Sequence, residues 1–509
     1  MRFVIKYTKK EAQTMALSEK WLSLKNGSDI RGIASEGVEG LDINLTDDVV
    51  FNIAAGFAKY AKEKLGKENI VIAIGHDSRI SAPRIKKCCI DAFLKSGVNV
   101  TDCGLATTPA MFMITVDEEY KADASVMLTA SHLPFNRNGL KFFTAAGGFE
   151  GSDITKILEY AEAGKFDFSS KGILTEVNYI KKYAFDIKKK IAKQTGSEVP
   201  FKGMKIAVDA GNGSGGFYAE MLKELGGDIS GSKFLEPDGT FPNHIPNPEN
   251  KEAMKAISDA VLESKSDLGI IFDTDVDRAA IVDQNGKEIN KNRLIALIAA
   301  VLMEEKKGTI VTDSVTSAEL KSFIEEELGS VHHRFKRGYK NVINEAVRLE
   351  SEGTYAPLAI ETSGHAALKE NYFLDDGAYL VTRLLIKAVL MKKEGKNLTD
   401  LIAKLKDPKF EEGFRFNLKN KEFKKDGEMI LTELKSRVEK STDFSLETPN
   451  YEGVRVNTQN GWFLLRMSLH EPLMPLDIQG NTREAMDKMK AFIKDFLSNY
   501  DCIDISALK

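Results

Sequence analysis

Cysteine is scarce in this sequence: Cys88, Cys89, Cys103 and Cys502 are the four among 509 residues. They form no CxxC pair and no His/Cys spacing of the kind that holds zinc. A disulfide scaffold and a structural zinc fold are thereby excluded, and the usage fits a reducing cytoplasm. Cys88 and Cys89 are neighbours in a helix-like stretch, which turns one toward a core and the other toward the surface. Charge of one sign is not in excess either, with a formal net charge of -4. No global field draws the chain to nucleic acid or an anionic membrane, so an anionic ligand needs a local cluster of Lys and Arg. Long apolar runs are also missing. The longest covers residues 294–303, far short of the ~20 residues a spanning helix needs. The start, MRFVIKYTKKEAQ, is charged and lacks the apolar stretch of a secretory signal. No low-complexity segment is present. The expectation is a soluble cytoplasmic protein with neither nucleic acid nor membrane as partner.

What is there is enough chain for several domains, at ~100–200 residues each, with 42% hydrophobic and 29% charged residues. One pattern recurs: a short apolar strand, a polar or Gly-rich loop, then a helix-like segment. It occurs at residues 70–97, 205–225, 268–278 and 309–317. Such alternation predicts parallel or mixed sheets covered by helices. Ligands bind beyond the carboxyl ends of strands in such sheets, where Asp77, Asp209, Asp273 and Asp313 stand. The last hundred residues read differently. A strand over 414–418 precedes a helix over 421–440. Apolar runs then flank an Asn460-Gly461 step, a hairpin signal, and a terminal helix starts at Asn481 as N-cap with Glu484 three residues on. Charged residues 404–412 read as a linker.

Asp273-Thr274-Asp275-Val276-Asp277-Arg278 puts three carboxylates at alternate positions, on one side of an extended segment. Clustered carboxylates repel unless a cation neutralises them, and hard oxygen ligands favour Mg²⁺ or Ca²⁺. An EF-hand is a poor fit, because its sixth and twelfth positions would be Arg278 and Gln284. An aspartyl-nucleophile phosphatase competes more closely through IIFDTD. In Thr129-Ala130-Ser131-His132-Leu133-Pro134, followed by Lys141, Ser131 is a candidate nucleophile at a strand exit. No G-x-S-x-G elbow surrounds it. Residues 211–216 match G-x-G-x-x-G, with Glu236 near a ribose-binding position, so both a dinucleotide site and a tight turn stay open. Glu361-Thr362-Ser363-Gly364-His365 offers the donors and acceptors that sugar hydroxyls require, or a capped helix start. Arg466-Met467-Ser468-Leu469-His470 ends a hairpin strand with a fork donor suited to phosphate.

Together these loops resemble the α-D-phosphohexomutases, the phosphomannomutase/phosphoglucomutase superfamily, from about Ser28 to near the C-terminus. T-A-S-H-x-P, D-x-D-x-D-R, E-x-S-G-H and the Arg466–Ser468 stretch occur in the family's order. Residues 29–32, 75–79, 209–216, 241–244 and 336–338 add supporting matches. TASHLP and LLRMSLHEP are similar to a divergent branch found in bacteria and plants. Leu133, Ile360, Leu469-His470, Arg337 and Tyr339 depart from the common family residues.

The resemblance implies three related α/β mixed-sheet domains and a smaller C-terminal α+β domain around a central cleft. Bounds of 1–20 for an N-terminal extension, then 21–195, 196–305, 306–408 and 409–509, follow from the pattern along the chain. By resemblance Ser131 carries the phosphoryl group, and Mg²⁺ is held by Asp273, Asp275 and Asp277 with the phosphoserine at Ser131. Arg31, His132, Lys141 and His365 are the catalytic candidates, and Arg278 supports the metal loop. Lys336, Glu361, Ser363, Arg466, Ser468 and His470 are the substrate-binding candidates. The implied reaction interconverts hexose 1-phosphate and hexose 6-phosphate, of mannose or glucose, through a hexose 1,6-bisphosphate that also serves as activator. The alternatives are a phosphoglucosamine or N-acetylglucosamine phosphate mutase, or a Mg²⁺-dependent sugar phosphatase. The expected assembly is a monomer or homodimer.

Overall fold

The computed structural model describes residues 17–169, 171–468 and 471–508. Residues 1–16 of the expected extension, and Leu469 and His470, lie outside them. Four sheets form among the described residues. The first runs Lys25–Asn26, Asp29–Ile33, Arg137–Thr144, Ala124–Leu128, Val71–His76, Asn99–Leu105, Leu174–Glu176 in spatial order, with Gly147–Gly148 paired to Arg137–Thr144. Its centre is parallel and its Arg137–Thr144 side antiparallel. The second sheet pairs Ile206–Asp209 parallel to Leu268–Phe272, then continues antiparallel through Ala279–Asp283 and Glu288–Ile289. The third pairs Thr309–Thr312 parallel to both Val331–Arg334 and Leu358–Ile360, then adds Ala366–Leu368 and Leu374–Asp375 antiparallel. All three combine a parallel core with an antiparallel flank, the mixed α/β plan expected from the recurring pattern. The fourth is wholly antiparallel: Ser445–Leu446, Val454–Thr458, Gly461–Leu465, Leu473–Gly480, Phe410–Leu418, Ile503–Asp504.

Local chemistry explains the elements. The helix Asp47–Leu65 starts where Thr46 accepts the Val49 N–H, carries Asp47 and Asp48 against its dipole, and stops at Gly66 with φ 64°. Helices Tyr179–Thr195, Lys291–Glu305 and Gly377–Lys393 contribute to one apolar core that also draws on the first three sheets. The fourth sheet has a core of its own with helices Phe423–Glu439 and Arg483–Leu497. Cys89 is buried and Cys88 half-buried on the helix Ala82–Lys95.

Several boundaries differ from the sequence reading. Thr458 pairs with Gly461, so the hairpin turn is Gln459-Asn460. Gly461 is instead required inside the strand, where a Cβ would sit 2.4 Å from the Gln479 carbonyl oxygen. The last helix is capped by Thr482, which accepts the Ala485 N–H at 3.1 Å, while Asn481 bonds Glu319. Phe410 already begins a strand, which removes residues 410–412 from the expected linker.

Candidate active site

The phosphoserine-like loop is built around a buried guanidinium. The strand Ala124–Leu128 ends, and the chain reverses at Ser131 with φ 51°. Arg79 donates to the carbonyls of Leu133 and Pro134 at 2.7 Å, of Arg137 at 2.9 Å, and of Ser131. Its Nε lies 3.2 Å from Asp77 Oδ2. The Ser131 N–H is satisfied by Thr129 Oγ1 at 2.9 Å. Four carbonyls turned inward leave the Ser131 side chain facing the second sheet.

There it meets the acidic loop. Residues 273–278 join Leu268–Phe272 to Ala279–Asp283, and Phe272 pairs with Ala279, so the loop is a tight turn rather than an extended segment. Val276 takes φ 67°. The three carboxylates converge because the turn folds them inward, and one oxygen of each lies within 4.8 Å of the others. Ser131 Oγ donates to Asp273 Oδ2 at 3.0 Å and accepts from Arg278 Nη2 at 2.8 Å. The same Nη2 donates to His132 Nδ1 at 2.5 Å. Lys141, on the strand Arg137–Thr144, donates to Asp277 Oδ2 at 2.5 Å and Asp275 Oδ2 at 3.1 Å. The Thr108 hydroxyl donates to Asp275. Arg31 donates to Asp29 at 3.0 Å and to the Ala130 carbonyl at 3.4 Å. Asp275 Oδ1 and Asp277 Oδ1 are buried without a hydrogen-bond partner. Buried acceptors of that kind, in an all-carboxylate set, fit a hard divalent cation.

The electrostatics follow from burial. Burial, with Asp277 and Asp275 beside it, pushes the Asp273 carboxyl well above its ordinary value. Burial would do the same to Asp277, but Lys141, His365 and Arg278 hold it well below the carboxylate range. Burial and the cations Arg278 and Arg31 push His132 down to about 3, so its Nδ1 is a neutral acceptor. Burial opposes charge on His365, yet Asp375 and Asp277 raise it to about 9.

His365 enters from the third sheet. Glu361-Thr362-Ser363-Gly364 is a turn between the antiparallel strands Leu358–Ile360 and Ala366–Leu368, not a capped helix start. His365 forms a backbone bridge with Arg278, which ties this turn to the acidic loop. Its Nδ1 lies 2.5 Å from Asp375 Oδ2, and its ring stacks on Tyr339 with centroids 5.1 Å apart. Glu361 accepts the Gly338 N–H at 2.6 Å and the Ser363 hydroxyl at 3.3 Å. Thr362 donates to buried Asp313 at 2.7 Å. Burial and Glu361 raise Asp313 to about 7. Lys336 is exposed, its ammonium 6.0 Å from the Phe335 ring centre. Arg466 is buried, its Nε 4.0 Å from Asp477 Oδ2, and the Ser468 hydroxyl accepts the Glu471 N–H at 3.3 Å.

Ser131, His132, Lys141, Asp273, Asp275, Asp277, Arg278 and His365 are thus linked by direct contacts, with Arg31 against the neighbouring Ala130. Thr108 and Asp375 also build the site without being singled out in the sequence, and Arg79, Asp313, Arg337 and Tyr339, which the sequence marked without a role, join them. Asp375-Asp376 ahead of an apolar helix was a readable cap signal for Asp376, which accepts the Tyr379 N–H. No pattern marked Asp375 as a partner of His365. The Gly211–Gly216 stretch is a tight turn. Gly211 and Asn212 have positive φ, and a Cβ on Gly213 would lie 2.6 Å from the Thr274 carbonyl oxygen.

Comparison with known proteins agrees with this geometry. The chain matches phosphoglucomutase/phosphomannomutase alpha/beta/alpha domain I over residues 23–167, domain II over 178–286 and domain III over 290–408. It is 30% identical over 465 residues to the phosphoglucomutase of Neisseria meningitidis serogroup A, covering 91% of this chain and 94% of that one. It is 30% identical to the phosphomannomutase/phosphoglucomutase of Pseudomonas syringae pv. tomato, over 84% of this chain and 87% of that protein. A crystal structure of a phosphoglucomutase/phosphomannomutase family protein from Burkholderia thailandensis has the same fold. Its TM-score is 0.78 at 24% identity, over 94% of this chain and 97% of the other. With three consecutive domains matched and a relative 30% identical over nearly the whole chain, the chain belongs to the phosphoglucomutase/phosphomannomutase family, among the α-D-phosphohexomutases.

Proposed function

We propose that this enzyme is a phosphohexomutase, an isomerase that interconverts hexose 1-phosphate and hexose 6-phosphate of mannose, glucose or both. The observation that carries the reading is the Ser131 hydroxyl. It is held between Arg278 and Asp273 at the rim of three converging carboxylates, two of which keep an unpartnered buried oxygen. A base-activated serine does not match that arrangement: His132 Nδ1 lies 3.4 Å from Ser131 Oγ, but its lone pair accepts from Arg278, and burial with the nearby cations keeps it a weak base.

In this reading Ser131 works as a phosphoserine. It gives its phosphoryl group to the free hydroxyl of the bound hexose phosphate. A hexose 1,6-bisphosphate forms and turns over in the cleft, and its other phosphate returns to Ser131. The same bisphosphate primes enzyme that has lost its phosphate. Asp273, Asp275 and Asp277, with the Ser131 phosphate, are the residues that would hold Mg²⁺, which supplies charge neutralisation at the transferring phosphoryl group. Phosphoryl transfer depends mainly on positioning and charge stabilisation. Arg278 donates to Ser131 Oγ and so stabilises the charge it carries when the phosphoryl group leaves. Lys141 keeps Asp277 ionised and donates to Asp275. Arg31 adds positive charge beside the loop. The proton of the attacking hydroxyl passes to the Ser131 oxygen as its phosphoryl group leaves, and it returns by way of His365, protonated beside Asp375, to the sugar oxygen freed in the second transfer. Glu361 and Ser363 read the sugar hydroxyls, while Arg466 and Ser468 hold the phosphate remote from Ser131.

Division of the chain at 195/196, 305/306 and 408/409 belongs to the same proposal, supported by each sheet lying wholly within one unit. Among the described residues no helix is long and apolar enough to cross a membrane. The test is Ser131→Ala, assayed with hexose 1-phosphates, Mg²⁺ and catalytic hexose 1,6-bisphosphate. Mutase turnover should fall by at least ~10³-fold with the thermal midpoint unchanged, as expected when the group carrying the covalent intermediate is removed. Near-native turnover would remove the proposal.

A further inference from the structure

Arg337 stands where the third and fourth sheets meet, and its backbone is pinned on three sides. Its N–H donates to Glu452 Oε2 of the fourth unit at 3.0 Å. Its carbonyl accepts from Asn341 Nδ2 at 2.6 Å. The next N–H, of Gly338, is given to Glu361 at 2.6 Å. Gly338 has φ 113°, a conformation that starts the helix Tyr339–Ser351 immediately and leaves residue 337 at the apex of the loop. Glu452 is itself held by the Ser314 hydroxyl. The residue therefore cannot drift from the sugar-reading turn or from the fourth unit.

The side chain is different. It is half-buried; burial opposes its charge, but Asp313, Glu361, Glu249 and Asp477 more than offset this, and among the described residues no group accepts a hydrogen bond from its guanidinium. The carboxylates around it are partly engaged elsewhere, although Asp313 Oδ1 and Asp477 Oδ2 have no hydrogen-bond partner. Both Glu361 oxygens accept from Gly338 and Ser363, and Asp313 Oδ2 accepts from Thr362. Arg466 packs beside the same loop, since a Cβ on Gly453, next to Glu452, would lie 2.7 Å from Arg466 Cβ; burial first, and the Arg337 charge with it, disfavours the ionised form of Arg466. Two guanidiniums that repel each other, one with all its donors free, are complementary to a dianion placed between them. Lys336, one residue earlier, is exposed and turned onto Phe335.

We propose that Arg337 is the substrate-binding residue that the third unit contributes, pairing with Arg466 across the junction to clamp the phosphate of the hexose phosphate remote from Ser131. The inference rests on the phosphohexomutase reading and adds a residue to it. It also displaces Lys336 from that position. Because Glu452 holds the Arg337 backbone, the clamp is assembled only when the fourth unit is docked on the third.

The experiment compares Arg337→Ala, Arg337→Lys and Lys336→Ala, using steady-state kinetics with glucose 1-phosphate and titration calorimetry with glucose 6-phosphate. Arg337→Ala should raise KM at least ~10-fold with kcat changed less than ~3-fold, the pattern of lost uniform binding. Arg337→Lys should recover part of that loss, because it returns the charge without the fork. Lys336→Ala should raise KM less than a third as much. A larger effect at Lys336 than at Arg337, or glucose 6-phosphate affinity unchanged in Arg337→Ala, overturns the inference. Absence of turnover by the unaltered enzyme on any hexose 1-phosphate overturns the phosphohexomutase reading instead, and calorimetry still decides Arg337. Arg337→Lys also guards against misfolding of the alanine variant.

Discussion

Arg79 shows how much of the site depends on one side chain remote from the chemistry. Its guanidinium is buried against Asp77 and donates to four carbonyls of the Ser131 loop. Removing one partner of a buried, hydrogen-bonded ion pair costs about 3–5 kcal/mol, because the remaining charge and the carbonyls lose their partners. Arg79→Ala should therefore lower unfolding free energy by about that amount in urea titration. It should also abolish turnover even where the protein remains folded, since the φ 51° turn at Ser131 loses its support. Ser131, the three aspartates and Arg278 were legible in the sequence because each sits in a short loop directly after an apolar strand. Arg79, Thr108 and Asp375 were not, because their partners lie 52 to 58, 167 and 10 residues away and no local pattern encodes the pairing. Lys336 and Arg337 are adjacent cations of equal charge. Their surroundings differ because Glu452 and the Gly338 turn pin the Arg337 backbone, and neither can be read by a composition or spacing rule.

At the scale of elements, an aspartate at a strand exit is used repeatedly. Asp77 holds Arg79, Asp209 holds His244 at 2.9 Å, and Asp313 holds Thr362 at 2.7 Å. Each anchors a neighbouring loop, while Asp273 meets Ser131 directly. The Asp209–His244 pair has a pH consequence. Burial alone would lower His244, but Asp209 more than offsets it and raises the group above its ordinary 6.5. A histidine whose folded value is raised contributes stability that is complete below 6.5 and lost as pH rises through the folded value. His244→Gln should thus lower the thermal midpoint more at about pH 5.5 than at about pH 8.5. An equal effect at both would show that His244 acts by packing alone. The turn over 273–278 carries a second expectation. Chelation of divalent cations should cut turnover by at least about 100-fold, and Mg²⁺ should restore it. The hairpin taught the limit of local signals: Asn460-Gly461 identified the turn, but the register shifted by one because Gly461 is needed against Gln479.

On the scale of the molecule, one apolar core draws on the first three units and the first has a second core of its own, whereas the fourth shares no core with them and meets the third through polar contacts and the Phe335–Tyr451 ring pair, 4.9 Å apart. Arg455 lies 3.5 Å from the Trp462 ring centre and donates to the carbonyls of Ser314 at 2.7 Å and Thr316 at 3.0 Å. Arg334 donates to Glu447 at 2.7 Å, and Glu452 reaches Arg337. An interface of that kind is easier to open than a shared hydrophobic core. Arg455→Ala should raise KM several-fold and increase hydrogen exchange over 445–465, with the first three units unaffected. Uniform exchange across the chain would place Arg455 in global stability instead. By itself the sequence determined the alternation of strands and helices, the class of each domain and the loops that carry chemistry, because apolar periodicity and strand-exit residues are local properties. Only the tertiary structure decided which loops touch, which of two adjacent cations is half-buried, and how His365 is oriented. Those outcomes depend on contacts between residues far apart in the chain, and on the burial that makes each charge require a partner.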